Sequence, residues 1–251
     1  MKKRGFPAVM LAAMLCLVLA SCKFERIASL NDGRMIEPSS NIVKNEYRLS
    51  AFDQVDIDVV ANVKFIQGSE GDYRVVLSCP ENYVELFQFD VDGTELGVEF
   101  TRDRVNIEAK HVDITIYAPT LRQLENGGVA SVEVDRLTTD RLEVENSGVG
   151  SLYLSGLTVR QMDAECSGVG NVELSGTADE ARLECSGVGS IKAERLTAKA
   201  VRADVSGVGG VSCHATESID ADVSGVGSLR YGGKPQRKNL NRTGVGKITE
   251  M

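Results

Sequence analysis

The stretch Ser167-Gly168-Val169-Gly170-Asn171-Val172 is one copy of a short motif that occurs seven times between residues 128 and 248. Each copy has a glycine, a valine, a small residue, a polar or small residue, and then an aliphatic residue. The leading glycines are Gly128, Gly148, Gly168, Gly187, Gly207, Gly225 and Gly244. Successive copies are 18 to 20 residues apart. A nearly fixed period of this length is typical of proteins built from stacked repeats.

The residues before each motif alternate between apolar and polar, which is the period of a half-buried β-strand. Met162, Ala164 and Cys166, for example, alternate with Asp163 and Glu165. Leucine-rich repeats need regularly spaced leucines, and helical repeats are longer than about 30 residues, so neither class fits. We therefore predict an all-β solenoid, a β-helix with coils of 18–20 residues that pair with each other at about 4.8 Å.

Equivalent residues of successive coils should lie above one another in columns. We expect the valines of the motif, from Val129 to Val245, to form an apolar column inside the solenoid. The second glycines should form another column, at a corner where φ is positive or where a Cβ has no room.

A column of carboxylates is predicted three residues before each leading glycine. Its members are Glu125, Glu145, Glu165, Glu184, Asp204 and Asp222, and it ends at Asn241. These positions have the opposite parity to the apolar ones and should face solvent, where neighbours at coil spacing repel by somewhat under ~1 kcal/mol in water. One hypothesis is a stripe that binds a ligand or a cation, Ca²⁺ being the natural hard ion. The alternative is a solvated face relieved by Arg141, Arg182 and Arg202.

The N-terminus has the features of a secretory signal peptide, residues 1–21. Basic residues 2–4 precede an uncharged run that ends at Ser21 and is shorter than the ~20 residues of a membrane span. The sequence Leu19-Ala20-Ser21-Cys22 resembles the bacterial lipobox, which implies that Cys22 is lipidated and begins the mature chain. An uncleaved anchor and an ordinary signal peptide are the alternatives. This reading predicts an exported protein held by acyl chains, such as palmitate, in the cell envelope, at the outer membrane of a Gram-negative bacterium.

Three further segments follow from composition and pattern. Residues 22–42 form a flexible tether, 43–124 an N-terminal β portion, and 125–251 the repeats with a basic cap on the last coil. The cap residues are Lys234, Arg237, Lys238, Arg242 and Lys247. The full chain has a net charge of −8. An acidic chain argues against nucleic acid as a partner and against electrostatic docking on anionic lipid.

The order of segments resembles a known family. Residues 51–57 (AFDQVDI), 63–68 (VKFIQG), 93–96 (GTEL) and 112–121 (VDITIYAPTL) precede the glycine-rich coils. This order is similar to the head GIN domain of auto-transporter adhesins, which occurs in secreted and lipid-anchored bacterial proteins. The resemblance covers roughly 45–250 and implies a single-stranded right-handed β-helix. The family offers no catalytic residues to transfer to this chain.

Three functions remain open at this point. The first is a non-catalytic module that presents a regular acidic surface to a glycan or a protein. The second is a polysaccharide lyase or hydrolase that uses the acid column, although the short coils leave no cleft walls and the chain has only His111 and His214 as histidines. The third is a structural or oligomeric component of the envelope.

The cysteines do not suggest a metal site. Cys166 and Cys185 should occupy the same inward column one coil apart, and we predict a reduced, buried pair. Cys79 and Cys213 have no evident partner, and no spacing of cysteine and histidine suggests zinc.

Overall fold

The computed structural model describes residues 35–251, and nearly all of this part is β structure. The prediction of a β-solenoid is confirmed, and the solenoid has about six turns. The strands are β1 Ile42–Arg48, β2 Gln54–Ile57, β3 Val60–Gln67, β4 Arg74–Pro80, β5 Phe87–Asp92, β6 Glu95–Phe100, β7 Asp113–Ala118, β8 Gln123–Asn126, β9 Val129–Asn146, β10 Val149–Cys166, β11 Val169–Cys185, β12 Val188–Val205, β13 Val208–Val223, β14 Ser228–Gly232, β15 Arg237–Arg242 and β16 Ile248–Glu250. Two short 3-10 helices span Glu81–Leu86 and Ala109–His111.

Each coil pairs in parallel with the next, so the repeated motifs lie directly above one another. Val149 pairs with Val169, and Val169 with Val188. The coils differ in length by one or two residues, and small irregularities away from the motif absorb the difference. Between β10 and β11, for example, the register shifts between Leu154 and Leu157. The motif therefore sets the stacking, while the far side of the coil tolerates insertions.

The N-terminal strands continue the solenoid. β2 pairs in parallel with β8, and β3 pairs in parallel with β9, so residues 54–67 form a coil beneath the first repeat. The hairpin of β5 and β6 continues the stack on the other edge of this coil, where β6 pairs in parallel with β2. Antiparallel pairing of β4 with β1 and β7 closes this end of the sheet.

The core consists of one aliphatic layer along the solenoid axis. The inward residues predicted from the alternation are buried, including Met162, Ala164 and Cys166 in one coil and Val201 and Ala203 in another. Two polar side chains are also fully buried. The amide nitrogen Nδ2 of Asn126 donates to Oδ1 of Asn146 at 2.8 Å, inside the column that continues as Cys166 and Cys185.

The prediction that the motif valines lie inside the solenoid is wrong. They stack in register, but their side chains point outward and are 48% to 81% exposed from Val149 to Val245. The in–out alternation continues unbroken through the corner. Counting from the buried Cys166 to the buried Val172 puts the two glycines on the inward side and Val169 on the outer side.

The inward positions at this corner have no room for a side chain. A Cβ on Gly168 would lie 2.2 Å from the carbonyl oxygen of Gly148, and one on Gly170 would lie 1.6 Å from that of Gly150. These are distances that no pair of atoms tolerates without movement of the backbone. The recurrent glycines are therefore required by the close approach of successive coils, as the sequence predicts for the second glycine.

The chain is fixed to the solenoid from Ile36 onward. The backbone N–H of Ile36 donates to the carbonyl of Asn106 at 2.9 Å, and the Tyr83 hydroxyl donates to the carbonyl of Ile36 at 2.5 Å. The amide of Asn82 donates to the carbonyl of Glu37 at 2.9 Å. The ordered body thus begins within the segment 22–42 that the sequence predicts as a tether. The signal peptide and Cys22 lie outside the described residues.

Candidate binding surface

The six predicted carboxylates form one column on the outer face of the solenoid. Their strands pair so that Glu125, Glu145, Glu165, Glu184, Asp204 and Asp222 are successive partners, with Asn241 at the end. Asp56 of β2 pairs with Glu125 and extends the column by one coil. Sequence reasoning missed Asp56 because it precedes the first motif, although its own strand alternates in the same way.

The column members are partly buried, and burial raises the pKa of three of them. Burial raises the pKa of Glu165, and the neighbouring carboxylates Glu145 and Glu184 raise it further. Burial also raises the pKa of Glu125 and of Asp56, where the next contributions are repulsion by Asp56 and by Asp58, respectively. Since repulsion adds to burial at all three sites, the carboxylates act on one another electrostatically.

Arginine side chains pair with two members of the column. Nη2 of Arg182 lies 2.9 Å from Glu184, and Nε of Arg202 lies 3.4 Å from Asp204. In the part of the chain that the structure describes, the other acids of the column, Asp222 included, have no cationic side chain within 4.0 Å. The relief by arginine that the sequence suggests therefore applies to Glu184 and Asp204 alone among them, and Arg141 instead lies 3.8 Å from Glu143, outside the column.

A shallow open groove of about 640 Å³ runs beside the paired acids Glu184 and Asp204. One column of its lining consists of Gln161, Glu180, Ala200, Ser218 and Arg237, one residue from each of five successive coils. The small side chains of Ala200 and Ser218 are neighbours in this column and lie between the longer Glu180 and Arg237.

Arginines and carboxylates line one side of the groove. Arg182 and Arg202 are neighbours in one column, and Asp163 and Asp220 stand above and below them. Arg202 also lies 3.8 Å from Asp220. Two positive groups thus lie between two negative ones along this wall, and the whole lining has five cationic side chains and three carboxylates, so the groove offers many hydrogen-bond donors and acceptors.

The described residues contain no group of three or more histidine, cysteine, aspartate or glutamate side chains placed to hold a metal ion. Their helices also include none that is long and apolar enough to cross a membrane. His111 lies in the 3-10 helix Ala109–His111 and His214 lies in β13, and neither belongs to the acid column.

The four cysteines of residues 35–251 are free and buried, as the sequence predicts for Cys166 and Cys185. Burial raises the pKa of Cys79 to about 11 and that of Cys213 to about 12. A hydrogen bond with Cys185, together with burial, raises the pKa of Cys166. Thiols with pKa values raised in this way are poor nucleophiles, so none of these three is a candidate catalytic group.

Comparisons with known proteins agree with this architecture. A family model described as "Putative auto-transporter adhesin, head GIN domain" matches residues 51–235. The crystal structure of a "putative adhesin" from Bacteroides fragilis is similar over 86% of this chain and 100% of that chain, with 38% sequence identity and a TM-score of 0.83. A "putative lipid binding protein" from Parabacteroides distasonis is similar over 87% of this chain and 100% of that chain, with 20% identity and a TM-score of 0.68, which shows the fold alone. No protein of curated function matches the chain.

Proposed function

The chain belongs to the head GIN domain family of auto-transporter adhesins, and from this premise we propose that it is a non-catalytic module that binds an extended glycan at the cell envelope. The family and the Bacteroides fragilis structure support an adhesin-like role at the cell surface or envelope. The finer elements of the proposal are the lipid anchor, the ligand class and the absence of catalysis.

The groove along the solenoid axis is the observation that carries the ligand class. It crosses five coils and is open at the surface, so it suits a chain that lies along it and not a small molecule enclosed in a cavity. The coils pair with each other along its whole length, so the backbone groups beneath it are already used. A peptide cannot bind there by adding a strand to a sheet edge. Contacts must come from side chains.

Those side chains suit hydroxyl groups. Guanidinium groups of Arg182 and Arg202 donate, carboxylates such as Asp163 and Asp220 accept, and the amide of Gln161 does both. The lining has two more cationic side chains than carboxylates, but four acids of the column lie two residues further along the same strands and outnumber this excess, so a polyanionic glycan is disfavoured. The proposed ligand is therefore a neutral glycan, with the acid column as the rim of its site.

A substitution that fills the groove tests this site without altering any charge. Ala200→Tyr places a bulky ring on the groove floor, while Thr158→Tyr adds the same ring to another exposed face of the solenoid. The purified protein is first screened on an array of neutral and acidic glycans, and the hits are measured by calorimetry. Ala200→Tyr should weaken binding at least ten-fold and Thr158→Tyr should not. Binding only to acidic glycans, or equal loss in both variants, would contradict the proposed site.

Catalysis by the acid column is the competing function. An assay for new reducing ends on every glycan that binds should detect no turnover. If turnover is found and is lost in Glu165→Gln and Glu184→Gln, the protein is an enzyme and the proposal is wrong.

The anchor is proposed from the lipobox-like sequence that ends at Cys22. The backbone is hydrogen-bonded to the solenoid from Ile36 onward, and Cys22 precedes this residue by 14 positions. Growth with labelled palmitate should label the wild-type protein and leave Cys22→Ser unlabelled. Protease treatment of intact cells then determines whether the body faces the outside of the cell, as a role in adhesion requires.

A further inference from the structure

The outward valines of the repeated motif form a continuous apolar strip, which we call the valine strip. It consists of Val129, Val149, Val169, Val188, Val208, Val226 and Val245. These are seven of the eleven large hydrophobic side chains that are exposed within residues 35–251. An isolated exposed valine is ordinary, but a contiguous patch of this kind usually marks a contact surface.

Nothing in its own coil can cover the strip. The columns on either side are glycine except at the buried Ala130, and a Cβ would collide with the preceding coil at Gly168 and Gly170, for example. The next columns hold serine, threonine, asparagine or glycine, so the first six coils carry no charge between the positions of Ser147 and Ser151. This neutral surface is found in a chain whose net charge is −8.

The strip is large enough to form a contact. Six coil steps of about 4.8 Å and five columns that span four steps of about 3.3 Å give a footprint of roughly 29 by 13 Å, or about 380 Å², whose outer two columns are mostly serine. The largest apolar patches of monomeric proteins are about 300–600 Å² and are often functional. The strip alone is smaller than the ~800 Å² per partner of a stable interface of standard size, so a contact through it should be weak and reversible.

The repeat interval of the strip and the charged side chains at its two ends indicate which molecule packs against it. One valine side chain projects from each coil, between glycines. A surface that packs between these side chains along six coil steps must have features at the same interval, and a second copy of this chain has them. The carboxylate of Asp58 lies beside Gly127 at the N-terminal end of the strip, and Arg242 and Lys247 lie at its C-terminal end. Antiparallel packing brings opposite charges together at both ends, whereas parallel packing brings like charges together.

We propose that the valine strip is the contact between two copies of this chain, packed antiparallel about a two-fold axis near Val188. Such an isologous contact closes on itself and gives a dimer. Val188 is the middle member of the strip, so Val129 of one copy faces Val245 of the other. Copies confined to one membrane reach a high local concentration, which favours even a weak contact of this kind.

Cysteine cross-linking of the full chain tests both the contact and its direction. Oxidation should give a disulfide-linked dimer with Val188→Cys, because the two-fold axis brings this position next to itself. Val129→Cys and Val245→Cys should give little dimer singly and at least five-fold more when combined in one chain. Thr197→Cys, exposed on another face, should give only the background of the unchanged chain, whose four described cysteines are buried.

Two further variants distinguish a contact between two copies from a purely structural role of the valines at the corner. Val188→Arg puts two positive charges at the axis and should reduce cross-linking of the combined Val129→Cys and Val245→Cys chain at least five-fold, with the circular dichroism spectrum unchanged. Asp58→Lys should reduce cross-linking several-fold at low salt and less at high salt.

The outcomes are decisive in either direction. Efficient cross-linking by Val129→Cys alone would show parallel packing and overturn the proposal. A folded chain that gives no dimer at any strip position, or a dimer that Val188→Arg leaves intact, would show that the valines are not an interface.

Discussion

The lack of an ion pair at most acids of the column leads to a specific prediction about Glu165. Its carboxylate has Glu145 and Glu184 as column neighbours, and of these only Glu184 is paired with an arginine. Replacement of Glu165 by glutamine keeps the shape of the side chain and removes one charge from the middle of the column. If the column is a solvated face, this change should stabilise the fold at neutral pH.

The magnitude follows from the coil spacing. Two unit charges about 4.8 Å apart repel by roughly 0.9 kcal/mol in water, and Glu165 has two such neighbours. Salt and the attraction of Arg182 reduce the sum, so a gain on the order of 1 kcal/mol is expected for Glu165→Gln. For a chain of this size such a gain raises Tm by about 2–4 °C.

The pH dependence has a definite sign. Because the pKa of Glu165 is raised in the folded state, the folded chain holds this proton more tightly than the unfolded chain does. The destabilisation is therefore absent below the unfolded pKa of about 4.3, develops as pH rises through the window up to the raised folded pKa, and is complete above it. Wild type and Glu165→Gln should differ at pH 7 and have equal Tm values near pH 4.

Thermal melts of three variants, with and without calcium, test this reasoning. Glu184→Gln should give no gain, since it loses the ion pair with Arg182, and Glu70→Gln, exposed and outside the column, should be neutral. A Glu165→Gln variant that is no more stable than these controls at pH 7, or equally more stable at pH 4, would refute the electrostatic account. If calcium raises the Tm of wild type but not of Glu165→Gln, the column is a cation site instead.

Three other predictions concern the interior. Gly170→Ala, whose Cβ would lie 1.6 Å from a carbonyl oxygen, should lose at least ~3 kcal/mol of unfolding free energy in urea titrations, whereas Gly71→Ala, with open space but positive φ, should lose only about 1 kcal/mol. Asn146→Val leaves the Asn126 amide without its acceptor and should lose about 1–3 kcal/mol, while valine at both positions should lose clearly less. Cys166 should react with a thiol reagent only after denaturation, because burial and its hydrogen bond keep the thiol protonated.

The period of the sequence was sufficient to predict which residues stack. The leading glycines define the coils, and the acid column and the buried Cys166 and Cys185 follow from counting between them. The prediction for the direction of the valines is wrong, because it rests on their apolar character and not on the alternation. Strict alternation from Cys166 to Val172 gives the right answer, and it shows that the glycines occupy the inward positions.

The groove could not be predicted from one coil at a time. It arises where Ala200 and Ser218 are short while Glu180 and Arg237, on the coils to either side, are long. Asp56 was missed for a related reason. The coil that contains it is made from two separate strands with no motif between them, so only the pairing of β2 with β8 assigns it to the column.

The columns of the solenoid have different roles, and these roles connect the fold with the two proposed surfaces. The glycines allow the close approach of the coils, and the inward aliphatic residues supply the buried apolar area; both are requirements of the fold. The outward positions have no such requirement, and polar, uncharged residues would satisfy them at every coil. Instead one outward column has valine in all seven motifs, which leaves apolar surface in water. Another outward column has acids, and burial together with their mutual repulsion raises the pKa of Glu165 and Glu125. Both columns make the isolated monomer less stable than polar, uncharged residues would. A partner that contacts each surface explains these residues better than the fold alone does.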